Sequence, residues 1–340
     1  MTEFKKYNSI ENTYNKDFLE KIEKEGYESL VYVVQEKVHG ANCCFMTDGT
    51  YVNFAKRTGP ILPNEKFYNY EELLSGYKEK VLFLFSLIKA HHPSTNNIMV
   101  YGEMFGGNYP HPEVKNDSRV MCIQKGVFYS PTHEFYGFDI YIGGTETNRY
   151  LSVYESNNLF EKCGFFFAKT LFEGTIRECL TYPNTFQSRI SEWLGLPPIE
   201  NNICEGIVIR PAVPIFLNNG SRLLLKNKNA KFAEKKSVKK RQPALFVEPG
   251  YTVDLLNQLL IAEGFVTENR LHNVISKIGD VSFPKDAGKL IGLLSKDVLE
   301  DYLKEHSGSY AGLEKSEQKI FNRHLNKLSV DLIKKLYMSS

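Results

Sequence analysis

Short runs of β-branched and aromatic residues, separated by turn signals, fill the first two thirds of the chain. They lie at residues 31–36 (VYVVQE), 51–55 (YVNFA), 98–103 (IMVYGE), 135–140 (FYGFDI), 206–210 (GIVIR) and 222–226 (RLLLK). Each has the length and residue types of a β-strand. The glycine- and asparagine-rich stretches between them, at 58–60, 106–108, 143–144 and 218–220, are turn chemistry. Helical spacing of apolar residues interrupts the strands at 71–89 and 153–162. The irregular spacing suits an antiparallel-rich α+β domain better than repeated βαβ units. Beyond Gly250 the pattern changes. Val253, Leu255, Leu256, Leu259 and Leu260 recur at helical spacing, as do Val274 with Ile278, Val298 with Tyr302, and Leu325 with Leu328 and Leu332. We expect an α+β domain over 1–230, a linker over 231–249 and a small all-α domain over 250–340.

Composition narrows the class without naming it. With 340 residues, 42% hydrophobic and 24% charged, the chain can build two globular domains, and a wholly disordered or collagen-like chain is excluded. The longest apolar run, near 81–88, is too short for a membrane span and is bounded by lysines. The first 14 residues are polar and mixed in charge, unlike a signal or transit peptide. Six cysteines contain no C-x-x-C pair, which argues against a zinc ribbon or a disulfide scaffold. An intracellular protein without membrane or obligate protein partner is the expectation. The net charge of +2 hides an asymmetry: the window from Lys226 to Arg241 carries +7, so the rest of the chain sums to −5. Such a stripe is either a solvated linker or a surface for phosphates.

Candidate chemistry begins at Lys37-Val-His-Gly40, just after a strand-like run. A K-x-x-G match alone is weak, since the chain has four, starting at Lys37, Lys56, Lys285 and Lys289. What distinguishes Lys37 is the order of its companions: Lys56-Arg57-Thr58-Gly59, Tyr101-Gly102-Glu103, Phe138-Asp139, Cys204-Glu205-Gly206-Ile207-Val208-Ile209-Arg210 and Leu225-Lys226-Asn227-Lys228. Together these resemble the covalent nucleotidyltransferase superfamily of polynucleotide ligases and RNA capping enzymes. The resemblance is closest to the RNA ligase 2 family of phage-type double-stranded RNA ligases. It runs from Phe4-Lys5-Lys6-Tyr7 through Lys231-Phe-Ala-Glu-Lys-Lys into Asn269-Arg270 and Asn273-Val-Ile-Ser-Lys-Ile-Gly.

The resemblance implies a nucleotidyltransferase domain with antiparallel sheets flanking an ATP cleft. It also implies ATP as cosubstrate, magnesium (or manganese) as the metal, and RNA, a nicked duplex, as the partner. Lys37 takes the role of the nucleophile that accepts AMP. A lysine is nucleophilic only when neutral, so nearby cations help by lowering its pKa. Lys226 and Lys228, two apart on a strand, share a face and can supply that field while neutralising phosphate oxygens. The family assigns Glu36 and Phe138 to adenine, Glu103 to the ribose, and His39 and Asn42 to phosphates and the substrate end. Arg57 corresponds to an arginine used when the nicked strand is engaged. Glu205 matches the metal-binding acid with Asp139 as a companion. Arg210, Arg270 and Asp297 match positions that serve RNA steps. Two positions depart: Arg210 stands where the phage enzyme has lysine, and Ala41 replaces a small hydroxyl residue. An ATP-dependent DNA ligase or a capping guanylyltransferase shares the early motifs, but those typically continue into a β-rich barrel rather than helices. A non-catalytic RNA-binding protein remains the alternative from another class.

Overall fold

The computed structural model describes residues 3–146, 148–235 and 251–337. Most of the expected basic linker, and the half of the charge stripe beyond Lys235, lie outside the described residues. The first unit comprises Met1–Lys231 with Ser276–Gly279, and the second Phe232–Ile275 with Asp280–Ser340.

Two antiparallel-rich sheets build the first unit. In chain order its elements are β1 (Glu11–Asn12), α1 (Lys16–Lys24), β2 (Tyr32–Lys37), β3 (Ala41–Thr47), β4 (Val52–Lys56), β5 (Gly59–Pro60), α2 (Tyr70–His91), β6 (Thr95–Gly106), β7 (His133–Gly144) and β8 (Asn148–Tyr150). Then follow α3 (Val153–Lys162), β9 (Thr170–Gly174), α4 (Ile176–Thr181), α5 (Ile190–Trp193), β10 (Gly206–Pro211) and β11 (Leu225–Lys228). One sheet runs β1-β11-β10-β2-β9 and the other β5-β4-β3-β6-β7-β8. All pairings are antiparallel except β1 with β11.

Alternation along β3 shows why both faces of the six-stranded sheet are covered. Cys43 and Phe45 point into a core closed by Tyr77, Val81, Leu84 and Ile88 of α2 and by Phe160 of α3. Cys44 and Met46 point the other way, toward Met99, Tyr101, Tyr150, Tyr7 and Leu224. A strand buried on both faces has no polar alternation, so 41–47 shows weakly in the sequence. The five-stranded sheet covers one face with α1 and α4, through Phe18, Ile22, Ile176 and Cys179 packed on Tyr32, Val34, Ile207, Ile209 and Leu225. Its opposite face carries the motif lysines.

The second unit is helical throughout its described residues: α6 (Val253–Glu263), α7 (Glu268–Ile278, whose last residues group with the first unit), α8 (Ala287–Ala311) and α9 (Lys315–Tyr337). Leu255, Leu259, Leu271, Val274, Leu290, Leu294, Val298, Tyr302, Phe321 and Leu325 are its buried stripe. The periodic positions Val298, Tyr302 and Leu325 lie in that stripe, whereas Val253 sits exposed at the start of α6.

Candidate active site

Three neighbouring strands set the centre of the site. Lys37 on β2 pairs across with Gly206 on β10, which pairs with Lys228 on β11. Residues paired this way lie on one face, and strands are about 4.8 Å apart, so the two lysines flank a glycine at roughly 10 Å between backbones. Glycine is required there. A Cβ at Gly206 would stand 2.1 Å from the Asn227 carbonyl oxygen. Glu205, next in sequence, fills the gap: Lys37 Nζ donates to its Oε2 at 2.8 Å, and Lys228 Nζ lies 2.8 Å from its Oε1. Glu205 is fully buried, and each of its oxygens has a lysine ammonium within 2.8 Å. Burial pushes this carboxyl up, but Lys228, Lys37 and His39 outweigh it and hold it at about 2. Lys226 lies on the same face two residues before Lys228, opposite Val208.

The turn after Lys37 is fixed by close packing. A Cβ at Gly40 would meet the Met104 carbonyl oxygen at 2.2 Å, so the last residue of K-x-x-G must be glycine. His39 Nδ1 stands 3.9 Å from Glu205 Oε2, and its backbone N–H donates to the Tyr129 hydroxyl at 3.1 Å. Asn42 pairs with Glu103 across β3 and β6, and its side chain donates to the Gly102 carbonyl at 3.4 Å. Burial pushes Glu103 up to about 7, opposed by Lys37 and Arg57 and reinforced by Glu205. These charges gather Lys37, Arg57, Glu103 and Glu205 into one electrostatic neighbourhood.

Several candidates are held by partners within the protein. Glu36 lies on the face of β2 opposite Lys37, where Ser188 Oγ donates to its Oε1 at 2.6 Å and the Arg189 N–H to its Oε2 at 3.0 Å. Burial pushes it to about 7 despite those bonds. Asp139, expected beside Glu205 as a metal companion, is instead enclosed by donors: Arg210 Nη2 at 3.1 Å on Oδ1, with Arg222 Nη1 at 2.6 Å and the Tyr7 hydroxyl at 2.8 Å on Oδ2. Burial raises this carboxyl, but the two arginines outweigh it and hold it below its usual range.

Arg210, expected at the RNA, is 2% exposed and spans from β10 to β7, its Nη1 donating to the Phe138 carbonyl at 2.9 Å. Phe138 is half-buried with its ring 5.0 Å from that of Tyr7. Arg270, also expected at phosphates, is 1% exposed. It donates to Asp297 at 2.7 Å, Asp301 at 2.8 Å and the Phe265 carbonyl at 2.9 Å, so its charge is engaged inside the helical unit. Sequence reasoning missed Tyr7 and Arg222 as site residues, and Tyr129, Ser188 and Asn202 altogether. Tyr7 and Arg222 stood inside stretches already singled out, yet only the fold brings them to Asp139.

The RNA ligase family matches residues 30–228, which span every motif from Lys37 to Lys228. The chain belongs to the RNA ligase family. Residues 255–329 match the T4 RNA ligase 2 C-terminal domain, so the helical unit is of that type and not an oligonucleotide-binding barrel. Among its relatives is the mitochondrial RNA-editing ligase 2 of Trypanosoma brucei brucei, 28% identical over 95% of this chain and 88% of the relative. RNA-editing ligase 1 of the same organism is 28% identical over 84% of this chain and 73% of the relative. A solved RNA ligase of Naegleria gruberi with ATP and Mn aligns at 12% identity with a TM-score of 0.40, over 68% of this chain and 57% of that one. No helix among the described residues of this ligase is long and apolar enough to cross a membrane.

Proposed function

We propose that this RNA ligase seals 3′-OH/5′-phosphate breaks, principally nicks in duplex RNA, through a lysyl-AMP intermediate on Lys37. In the first step the neutral Lys37 amine attacks the α-phosphorus of ATP. The N–P bond forms as the bond to the bridging oxygen breaks, and pyrophosphate leaves. In the second, an oxygen of the RNA 5′-phosphate attacks the same phosphorus and Lys37 departs. In the third, the 3′-OH attacks the RNA phosphate and AMP leaves, which closes the strand.

The observation that carries this reading is the Lys37–Glu205–Lys228 row. Lys226 and Lys228 offer cationic charge to the α-phosphate oxygens, where it counts most in the transition state. Glu205 holds the Lys37 side chain by a hydrogen bond, and attack requires that this contact loosen and the proton leave. Glu205 would hold a divalent cation, because this carboxylate is buried and anionic, and the ion would take the place of a lysine ammonium that lies 2.8 Å from one of its oxygens. One carboxylate suffices for magnesium or manganese, which keep waters and take phosphate oxygens. Such an ion supplies neutralisation of phosphate charge. Phe138 is the candidate for stacking on adenine, with Glu103 toward the ribose, His39 and Asn42 toward the phosphates and Arg57 toward the nicked strand.

Incubation with α-labelled ATP or GTP tests the proposal. Label from ATP should appear on the peptide containing Lys37, and Lys37→Ala should abolish both labelling and sealing of nicked RNA duplexes. Labelling that survives in Lys37→Ala, or label on another lysine, overturns it.

A further inference from the structure

Glu36, just before Lys37, and His39, two residues after it, are each tied through separate hydrogen bonds to Asn202, which lies three residues before Glu205. On one side Glu36 accepts from Ser188 Oγ at 2.6 Å, and the Ser188 N–H donates to the Asn202 carbonyl at 2.8 Å. On the other, the His39 N–H donates to the Tyr129 hydroxyl at 3.1 Å. Phe128, next to Tyr129, is held at both backbone groups by the Asn202 side chain: its N–H donates to Oδ1 at 2.8 Å and its carbonyl accepts from Nδ2 at 2.6 Å. Tyr129 is 0% exposed and Asn202 4%, so these bonds lie away from solvent. The surrounding segment, residues 123–130, is anchored at further points. The Ile123 N–H donates to the Gly106 carbonyl at 3.1 Å, Gln124 Oε1 accepts from the Gly106 N–H at 2.9 Å, and the Gly126 carbonyl accepts from Lys231 Nζ. The Tyr129 ring packs edge-on against Phe105 at 5.3 Å.

We propose that Tyr129 and Asn202 are positioning residues for self-adenylylation: together they set the separation of Lys37 from Glu205 by fixing both flanks of the nucleophile to the approach to Glu205. This rests on the reading of Lys37 as nucleophile. Neither residue touches the reacting atoms. Their effect passes through the His39 backbone and through Phe128 and Ser188. Small misplacement of a nucleophile lowers the rate of attack while leaving contacts to the rest of ATP in place. The expected signature is therefore a fall in maximal rate without a matching change in ATP affinity.

The test is the single-turnover rate of AMP attachment in the full chain, per competent site, with competent sites counted from the labelling end point. Tyr129→Phe removes one hydroxyl and keeps the ring. It should lower the rate at saturating ATP by about tenfold, with the half-saturating ATP concentration within about threefold and the end point preserved. Asn202→Ala should act in the same direction, and if it does not fold, Tyr129→Phe decides alone. A merely structural role would lower the melting temperature or end point and leave the rate per competent site unchanged. A Tyr129→Phe rate within twofold of the parent overturns the proposal, as does a slowing produced wholly through weaker ATP binding. Lys37→Ala, run alongside, separates this failure from failure of the nucleophile assignment, because only the latter leaves label on the protein.

Discussion

At the scale of single residues, the site joins carboxyls whose surroundings push them in opposite directions. Glu205 sits between two lysines and stays ionised, whereas the burial of Glu36 outweighs the Ser188 hydroxyl, the Arg189 N–H and the Arg189 charge, and it rises to about 7. The rise has a measurable consequence. Its ordinary value is 4.5, so between 4.5 and about 7 the folded chain binds a proton that the unfolded chain has released. The contribution is thus fully present below 4.5 and is lost as pH climbs through 7, by roughly 3 kcal/mol at most. Glu103 adds a slope of the same sign. Glu36→Gln should therefore flatten the fall in stability between pH 5 and 7 without abolishing it, as read from urea melts at pH 5, 6 and 7. Superimposable pH profiles for variant and parent would refute the buried carboxyl. Arg210 makes a related point. Its two terminal nitrogens reach the Phe138 carbonyl and the Asp139 carboxylate at once, which a planar fork does and a lysine's single ammonium does less well. The departure from the family's lysine thus coincides with a buried bridge between the two sheets.

At the scale of elements, the sequence told most where local chemistry decides. The helix expected at 153–162 is α3, Val153–Lys162, because Ser152 and Glu155 form a reciprocal capping box that marks its start. The Ser152 side chain accepts from the Glu155 N–H at 3.2 Å, and the Glu155 carboxylate accepts from the Ser152 N–H at 2.8 Å. Ser152→Ala should cost about 1 kcal/mol of stability in denaturant titration and leave the AMP-labelling rate unchanged, since α3 holds none of the motif residues. A change in labelling rate would tie this helix to the site. Legibility fell where tertiary contacts decide. The run at 222–226 looks like one strand, but Arg222 turns into the Asp139 pair and stacks on Tyr150 at 3.7 Å, so β11 begins only at Leu225. The lysine pair was legible because a spacing of two on a strand fixes a common face. The partners of Asp139 were not, since Tyr7, Arg210 and Arg222 lie 132, 71 and 83 residues away in the chain and no spacing rule connects them. Arg270 makes the same point: the resemblance offers it as a phosphate contact, and only the fold surrounds it with Asp297, Asp301 and Glu234.

At the scale of the whole molecule, the division of labour follows from where the motifs lie. Every residue proposed to act on ATP precedes Lys231 and belongs to the first unit, whereas the described residues of the second are mainly helical and hold none of them. On the proposed lysyl-AMP route, AMP attachment should need only ATP, a divalent cation and the Lys37–Lys228 region. Engaging a nicked duplex needs an extended cationic surface, and the stripe continuing to Arg241 precedes α6 in the chain. A chain ending near Phe246 should therefore still label itself with AMP but transfer it poorly to 5′-phosphate RNA. One complication is physical: Ser276–Gly279 groups with the first unit, and Gly279 packs against the Phe67 ring, so the shortened chain uncovers an aromatic that is 1% exposed in the full chain. Its stability should drop, and the comparison must be made per folded molecule at low temperature. Under those conditions we expect labelling within a few-fold of the full chain and sealing reduced at least about a hundredfold, roughly 3 kcal/mol of lost transition-state stabilisation. Sealing by the full chain at subsaturating RNA should also weaken as salt rises, because each phosphate contact releases counterions. A shortened chain that seals at the full rate, with the same salt dependence, would place RNA engagement within the first unit and leave the helical domain with a role outside strand joining.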